Sequence, residues 1–146
     1  MRPIIMEQVD ELNQLEKGMV ALYRQVAARI GVSDTEFWVL YGLFIQGGSC
    51  TQSEICDRWS LPKQTVSSAV SGLVHKGIIR LEPVPENRNR KYILWTQEGM
   101  DFCRERLDGI YSSQMRALSF MTDEERQSAI DILGKYLSHL RIELET

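Results

Sequence analysis

Cysteine and histidine are scarce in this chain, with three of the first and two of the second. Cys50, Cys56 and Cys103 form no C-x-x-C pair, and an odd thiol remains whichever two are bridged, so a disulfide framework is not expected. With only His75 and His139, and no H-E-x-x-H or C-x-x-C…H-x-x-x-H pattern, neither a metal site nor another cofactor is expected. Nucleophile–base pairings and a phosphate-binding glycine loop are also missing, so no catalytic residue is assigned and an enzyme is the remotest reading. No apolar run approaches the roughly 20 residues of a membrane span. The opening Met1-Arg2-Pro3-Ile4-Ile5-Met6-Glu7 lacks the apolar region and cleavage site of a secretory leader, which makes the cytoplasm the expected location and a membrane partner unexpected. An excess of positive charge is wanting too: the net charge is −3, which by itself argues mildly against nucleic acid as a partner.

What is present changes that last reading. Between Cys50 and Thr96 stand seven cations, Arg58, Lys63, Lys76, Arg80, Arg88, Arg90 and Lys91, against Glu54, Asp57, Glu82 and Glu86, a local charge of +3 that leaves −6 on the flanks. Such a distribution suits a central module that meets an anion. The 146 residues, 43% of them hydrophobic, suffice for one ordinary core without cross-links.

Apolar residues from Met6 through Val9, Leu12, Leu15, Met19, Leu22 and Val26 to Ile30 recur every three or four positions and predict a long amphipathic helix ended by Gly31. Ser33-Asp34-Thr35-Glu36 reads as a capping box for a second helix that stops at Gly47-Gly48. Thr51-Gln52-Ser53-Glu54 repeats that signal for a short third helix. After a break at Ser60-Leu61, Pro62 suits the first turn of a fourth helix that closes at Gly77. Beyond it, Ile78–Leu81 and Tyr92–Trp95 predict two antiparallel strands joined by a projecting, polar loop from Pro83 to Lys91. Thr96 caps one further helix through Met100, Cys103, Leu107, Ile110 and Tyr111. Thr122-Asp123-Glu124-Glu125 caps the last, in which Ile130, Leu133, Leu137, Leu140 and Leu144 make a coiled-coil-like seam.

Short helix, tight break, helix, strand, basic loop, strand is the order of a winged helix-turn-helix, whose second helix enters the major groove. At 100° per residue, Val66, Ala69, Val70 and Leu73 fall on one face of the fourth helix, opposite Gln64, Ser67, Ser68, Ser71 and His75. Small hydroxyls let a helix approach base edges closely, Gln64 can pair with an adenine edge, and the cations of the wing suit phosphates or the adjacent minor groove. The candidate DNA-binding residues are therefore Lys63, Gln64, Thr65, Ser67, Ser68, Ser71, Asn87, Arg88, Asn89, Arg90 and Lys91. The fold class is mainly α, an α+β winged helix-turn-helix with six or so helices and a two-stranded β-wing.

Leu61-Pro62-Lys63-Gln64-Thr65-Val66-Ser67, Leu73-Val74-His75-Lys76-Gly77-Ile78-Ile79, Trp95-Thr96-Gln97-Glu98-Gly99 and Met121-Thr122-Asp123-Glu124-Glu125 together resemble the MarR-type (multiple antibiotic resistance) regulators over nearly the whole chain. The resemblance implies an intertwined homodimer made by the terminal helices, binding to a palindromic operator in duplex DNA, and repression relieved by a small effector. On that reading 33–96 is the DNA-binding lobe, and 1–32 with 97–146 is the dimerisation region, with Val9, Leu12, Ile130, Leu133, Leu137 and Leu140 as its contacts. Phe37, Trp38 and Tyr41 are the candidate wall of a pocket for a small aromatic or phenolic effector, plain core packing being the alternative. The family's Asp-x-Arg wing pattern falls here on Asn87-Arg88-Asn89, so Arg88 serves from the neighbouring position, or Glu86-Asn87-Arg88 is the same motif shifted by one. Two other classes of function compete: oxidant sensing through a cysteine, and a winged-helix module that binds protein.

Overall fold

In the computed structural model, which describes residues 3–146, the chain runs α1 (Ile4–Ile30), α2 (Asp34–Ile45), β1 (Ser49–Thr51), α3 (Gln52–Trp59), α4 (Lys63–His75), β2 (Ile79–Val84), β3 (Asn87–Trp95), α5 (Gln97–Phe102), a π-helical turn (Cys103–Leu107), α6 (Asp108–Ser119) and α7 (Asp123–Leu144). Met1 and Arg2, which open the expected 1–32 region and the Met1–Glu7 stretch, lie outside the described residues. The elements form two compact units, one ending at Leu107 and the other spanning Asp108–Thr146.

Local signals place most helix ends. Gly31 closes α1 at φ 84°, a left-handed position that glycine takes without steric cost. Ser33 Oγ accepts from the Glu36 backbone N–H at 3.1 Å while the Glu36 carboxylate accepts from the Ser33 N–H at 2.8 Å, the complete capping box. Thr51 caps α3 through the Glu54 N–H at 3.3 Å, but it is also the last residue of β1, whose Cα partner on β3 is Tyr92.

The sheet has three strands in the order β1-β3-β2, all antiparallel, where the sequence predicts two. A strand of three residues is too short to show alternation, so β1 leaves no pattern to read. The expected Pro83–Lys91 loop is mostly strand as well, for β2 extends to Val84 and β3 begins at Asn87. Pro83 is tolerated there because β2 is an edge strand.

Under this sheet and between α2, α3 and α4 lies the core of the first unit: Phe37, Leu40, Leu43, Ile55, Val66, Val70, Leu73, Ile79, Ile93 and Leu107 are fully buried. Each such side chain contributes about 1.5–3 kcal/mol relative to exposure. Thr96 and Gly99 lock α5 to the sheet. The Thr96 hydroxyl accepts from the Gly99 N–H at 2.9 Å and donates to the Gly77 carbonyl at 2.6 Å. A Cβ at Gly99 would collide with the Ile78 carbonyl oxygen, a backbone atom, so the Thr-x-x-Gly spacing has a steric cause.

The single helix expected from Thr96 through Tyr111 is interrupted by the π turn. Its extra residue is invisible in the sequence because Met100, Cys103 and Leu107 are spaced as an ordinary helix face. Arg106, within the turn, donates to the Ile30 carbonyl at 2.8 Å and so satisfies a free carbonyl at the end of α1.

The second unit differs in kind. Thr122 and Glu125 form a full capping box for α7, yet neither α6 nor α7 has a buried residue.

Candidate nucleic-acid interface

The break between α3 and α4 is made by Ser60, at φ 52° the non-glycine residue with positive φ among the described residues. The Leu61 N–H reaches back to the Cys56 carbonyl at 3.1 Å, closing α3. Pro62, at φ −62° and ψ 144°, is extended and stands just before α4 rather than in its first turn, one residue earlier than expected. Its ψ lies outside the helical range, so it directs the chain into α4 as the cap residue.

The inward face of α4 is the expected one, Val66, Ala69, Val70 and Leu73 all being buried. Of the candidate contacts on the other side, Lys63, Gln64, Thr65, Ser68 and Ser71 are exposed, as is His75, while Ser67 is half-buried at the edge of the packed face. A shallow groove, lined by Ser33, Thr35, Glu36, Gln64, Thr65, Ser68 and Ala69, runs between the start of α2 and the first half of α4.

Pro85 and Glu86 form the tip of the wing, and the basic residues lie beside it. Pro83 pairs with Lys91 and Val84 with Asn87, so Arg88, Asn89 and Arg90 have no partner on β2 and bulge from β3. A bulge re-aims side chains and strengthens local twist. The Asn87 side-chain carbonyl accepts from the Asn89 backbone N–H at 3.1 Å and curls the bulge on itself. Asn87 through Lys91 are all exposed. Arg90 turns back to the Thr51 hydroxyl at 3.5 Å, whereas Arg88 and Lys91 enter no ion pair among the described residues. The structure thus separates the three wing cations into one brace and two outward charges.

Glu36 was legible in sequence only as half of a capping box. In the fold it is buried, and its carboxylate also accepts from Lys76 Nζ, forty positions away, at 2.8 Å. Burial pushes its pKa up, but the hydrogen bonds from Lys76 and Ser33 and the charge of Lys76 outweigh this and hold it below the ordinary 4.5.

Phe37, Trp38 and Tyr41 are held together with Tyr23 and Trp59 in one aromatic cluster. Phe37 lies 5.1 Å from Trp38 and 5.7 Å from Tyr41, and Trp38 lies 5.0 Å from Trp59, centroid to centroid. Phe37 is fully buried and Tyr41 nearly so, which is core packing; Trp38 remains half-exposed. Cys50, the middle residue of β1, is buried, and burial, with the nearby Glu54 charge, pushes its thiol up to about 12. A thiol so buried and protonated is a poor nucleophile, which counts against Cys50 in the oxidant-sensing reading. Of the expected dimer contacts, Val9, Leu12, Ile130, Leu133 and Leu137 are exposed and Leu140 is half-buried.

With this geometry in view, residues 30–88 match the model of the MarR family, a segment that contains α2, α3, α4 and the tip of the wing. The chain is 24% identical over 132 residues to the HTH-type transcriptional repressor YetL of Bacillus subtilis strain 168, covering 90% of this chain and 79% of that protein. Among solved structures it is similar to NMB1585, a MarR family regulator from Neisseria meningitidis, with a TM-score of 0.81 and 22% identity over 94% of this chain and 96% of that one. It is also similar to BpsR of Bordetella bronchiseptica, whose DNA binding is regulated by 6-hydroxynicotinic acid, with a TM-score of 0.68 and 19% identity over 88% of this chain and 98% of that one. A helix-turn-helix segment similar to the MarR family model is thus set in a chain that has the fold of these regulators.

Proposed function

We propose that the protein is a sequence-specific, double-stranded DNA-binding transcriptional regulator of the cytoplasm, a homodimeric repressor of a palindromic operator released by a small aromatic or phenolic effector. The observation that carries this reading is the coexistence, in one compact unit, of an exposed uncharged α4 face and a basic bulge beside the wing tip. Gln64, Thr65, Ser68 and Ser71 are short enough to bring α4 close to base edges, with Gln64 suited to adenine. Arg88 and Lys91 neutralise phosphates and supply a salt-dependent share of the affinity. Two copies related by a two-fold axis would set their α4 helices about one DNA turn apart, roughly 34 Å. The apolar faces of α1 and α7, exposed in the single chain, supply the surface for that pairing.

An effector acts by preferring a spacing of the two lobes that mismatches successive major grooves, and it weakens DNA binding by that preference and no more. Selection of bound sequences from random duplex DNA, followed by a salt titration on the enriched site, tests the reading. A palindromic consensus bound with a steep salt slope is expected; the absence of enrichment, or binding indifferent to salt, would leave the protein-binding module as the better description.

A further inference from the structure

Glu36 is the charged residue among the buried ones of the described chain, and it does more than cap its own helix. One carboxylate oxygen accepts from the Ser33 N–H at the start of α2 and from Lys76 Nζ, at the C-cap of α4, each at 2.8 Å. The other oxygen lies over Gly72, where a Cβ would stand 2.8 Å from it. The same residue lines the groove shared with Gln64, Thr65 and Ser68. A single group therefore touches the entrance of α2, the exit of α4 and the bare backbone of α4 between them.

Apolar contacts through Val66, Ala69, Val70 and Leu73 attract α4 to the core, but they are non-directional and tolerate small slides and rotations. A charge-assisted hydrogen bond has a direction, and here a buried carboxylate is held by a half-exposed ammonium, so the contact fixes one geometry between α2 and the end of α4. We infer that Glu36 is a positioning residue for DNA binding: through Lys76 and Gly72 it sets where α4 lies against α2, and hence the angle at which Gln64, Thr65, Ser68 and Ser71 are presented. The inference rests on the DNA-binding reading above and adds to it a residue that need not touch DNA.

The test compares the full chain with Glu36→Gln, Lys76→Met, Lys76→Arg and Gly72→Ala. Each is measured for affinity to the selected operator duplex, for affinity to an unrelated duplex at the same salt, and for thermal melting. Glu36→Gln and Lys76→Met are expected to lower the ratio of operator to unrelated affinity about tenfold, the size of effect found for residues that act through others. Lys76→Arg, which keeps a charged donor, is expected to restore most of that ratio. Gly72→Ala is the discriminating variant, because alanine favours the helix yet displaces the carboxylate. It is expected to lose operator preference with no fall in melting temperature. A purely structural role predicts that the ratio stays unchanged in Glu36→Gln and Gly72→Ala, whatever their melting temperatures, and that result overturns the inference. An equal loss on both duplexes in those two variants overturns it as well. Wild-type protein that binds no duplex at all overturns the DNA-binding reading itself, and the inference falls with it.

Discussion

Helices α2, α3 and α4 of the first unit bury their apolar faces, whereas α6 and α7 of the second have no buried residue. Phe37, Leu40, Ile55, Val66 and Leu73 from three helices of the first unit are fully buried. In the second, Ile130 is 65% exposed, Leu133 52% and Leu137 49%, although α7 opens on a complete capping box just as α2 does. The contrast recurs within one element: Ala27 and Ile30 at the end of α1 are buried, while Val9, Leu12 and Leu15 nearer its start are exposed. Amphipathic spacing says that a face requires cover. It does not say whether the cover lies in the same chain, and here the proposed second copy supplies it for α1 and α7.

The hardest blow to the self-covered unit is Gly99→Ala, whose new methyl meets the Ile78 carbonyl oxygen and cannot be relieved by a rotamer change. Equilibrium denaturation is expected to show a loss of about 3 kcal/mol, the upper end for overpacking. On the other side of the comparison, Leu133→Asp with Leu137→Asp is expected to weaken self-association by about 2 kcal/mol per leucine. Sedimentation should then show monomers whose first unit still gives its near-ultraviolet aromatic signal. Loss of that signal together with the dimer would mean that the two units are not independently stable.

At the interface itself, Gln64→Ala is expected to cost roughly 1 to 3 kcal/mol at one base position and relax discrimination there. Arg88→Ala and Lys91→Ala are each expected to weaken binding across sequences and lower the salt slope by about one. Arg90→Ala, the brace to Thr51, should change the slope less than either, which a salt titration of the three variants reads directly.

Ser60→Gly removes a left-handed strain of about 1 kcal/mol and is expected to raise the melting temperature of the first unit slightly, since glycine also loosens the unfolded chain. The smallest effect concerns acid. The pKa of Glu36 is lowered in the fold, so the unfolded chain binds the extra proton as pH falls below the ordinary 4.5. The stabilisation is full above that value and is lost as pH falls through the lower, folded one. Melting temperature below about pH 4.5 should therefore fall more steeply in wild type than in Glu36→Gln.

Much of this was readable from residues alone. Ser33 with Glu36 and Thr122 with Glu125 announced their helices because a capping box is closed within four residues. Val66, Ala69, Val70 and Leu73 named the inner face of α4, since a 3.6-residue period is a property of the chain and not of its surroundings. Neither β1 nor the bulge at Arg88–Arg90 could be read, because a short strand exists only through its partner and a bulge is a mismatch between two strands. Phe37, Trp38 and Tyr41 stood out as an aromatic wall, and only packing showed Phe37 to be closed off.

The sequence by itself determined the order of the elements, their caps, the two faces of α4 and the basic character of the wing, all of which depend on neighbours a few residues apart. The tertiary structure alone decided which wing cation turns inward to Thr51, why position 99 must be glycine, and that Glu36 meets Lys76 across forty residues. Those outcomes depend on distances between segments that loop closure brings together, and no local spacing encodes them.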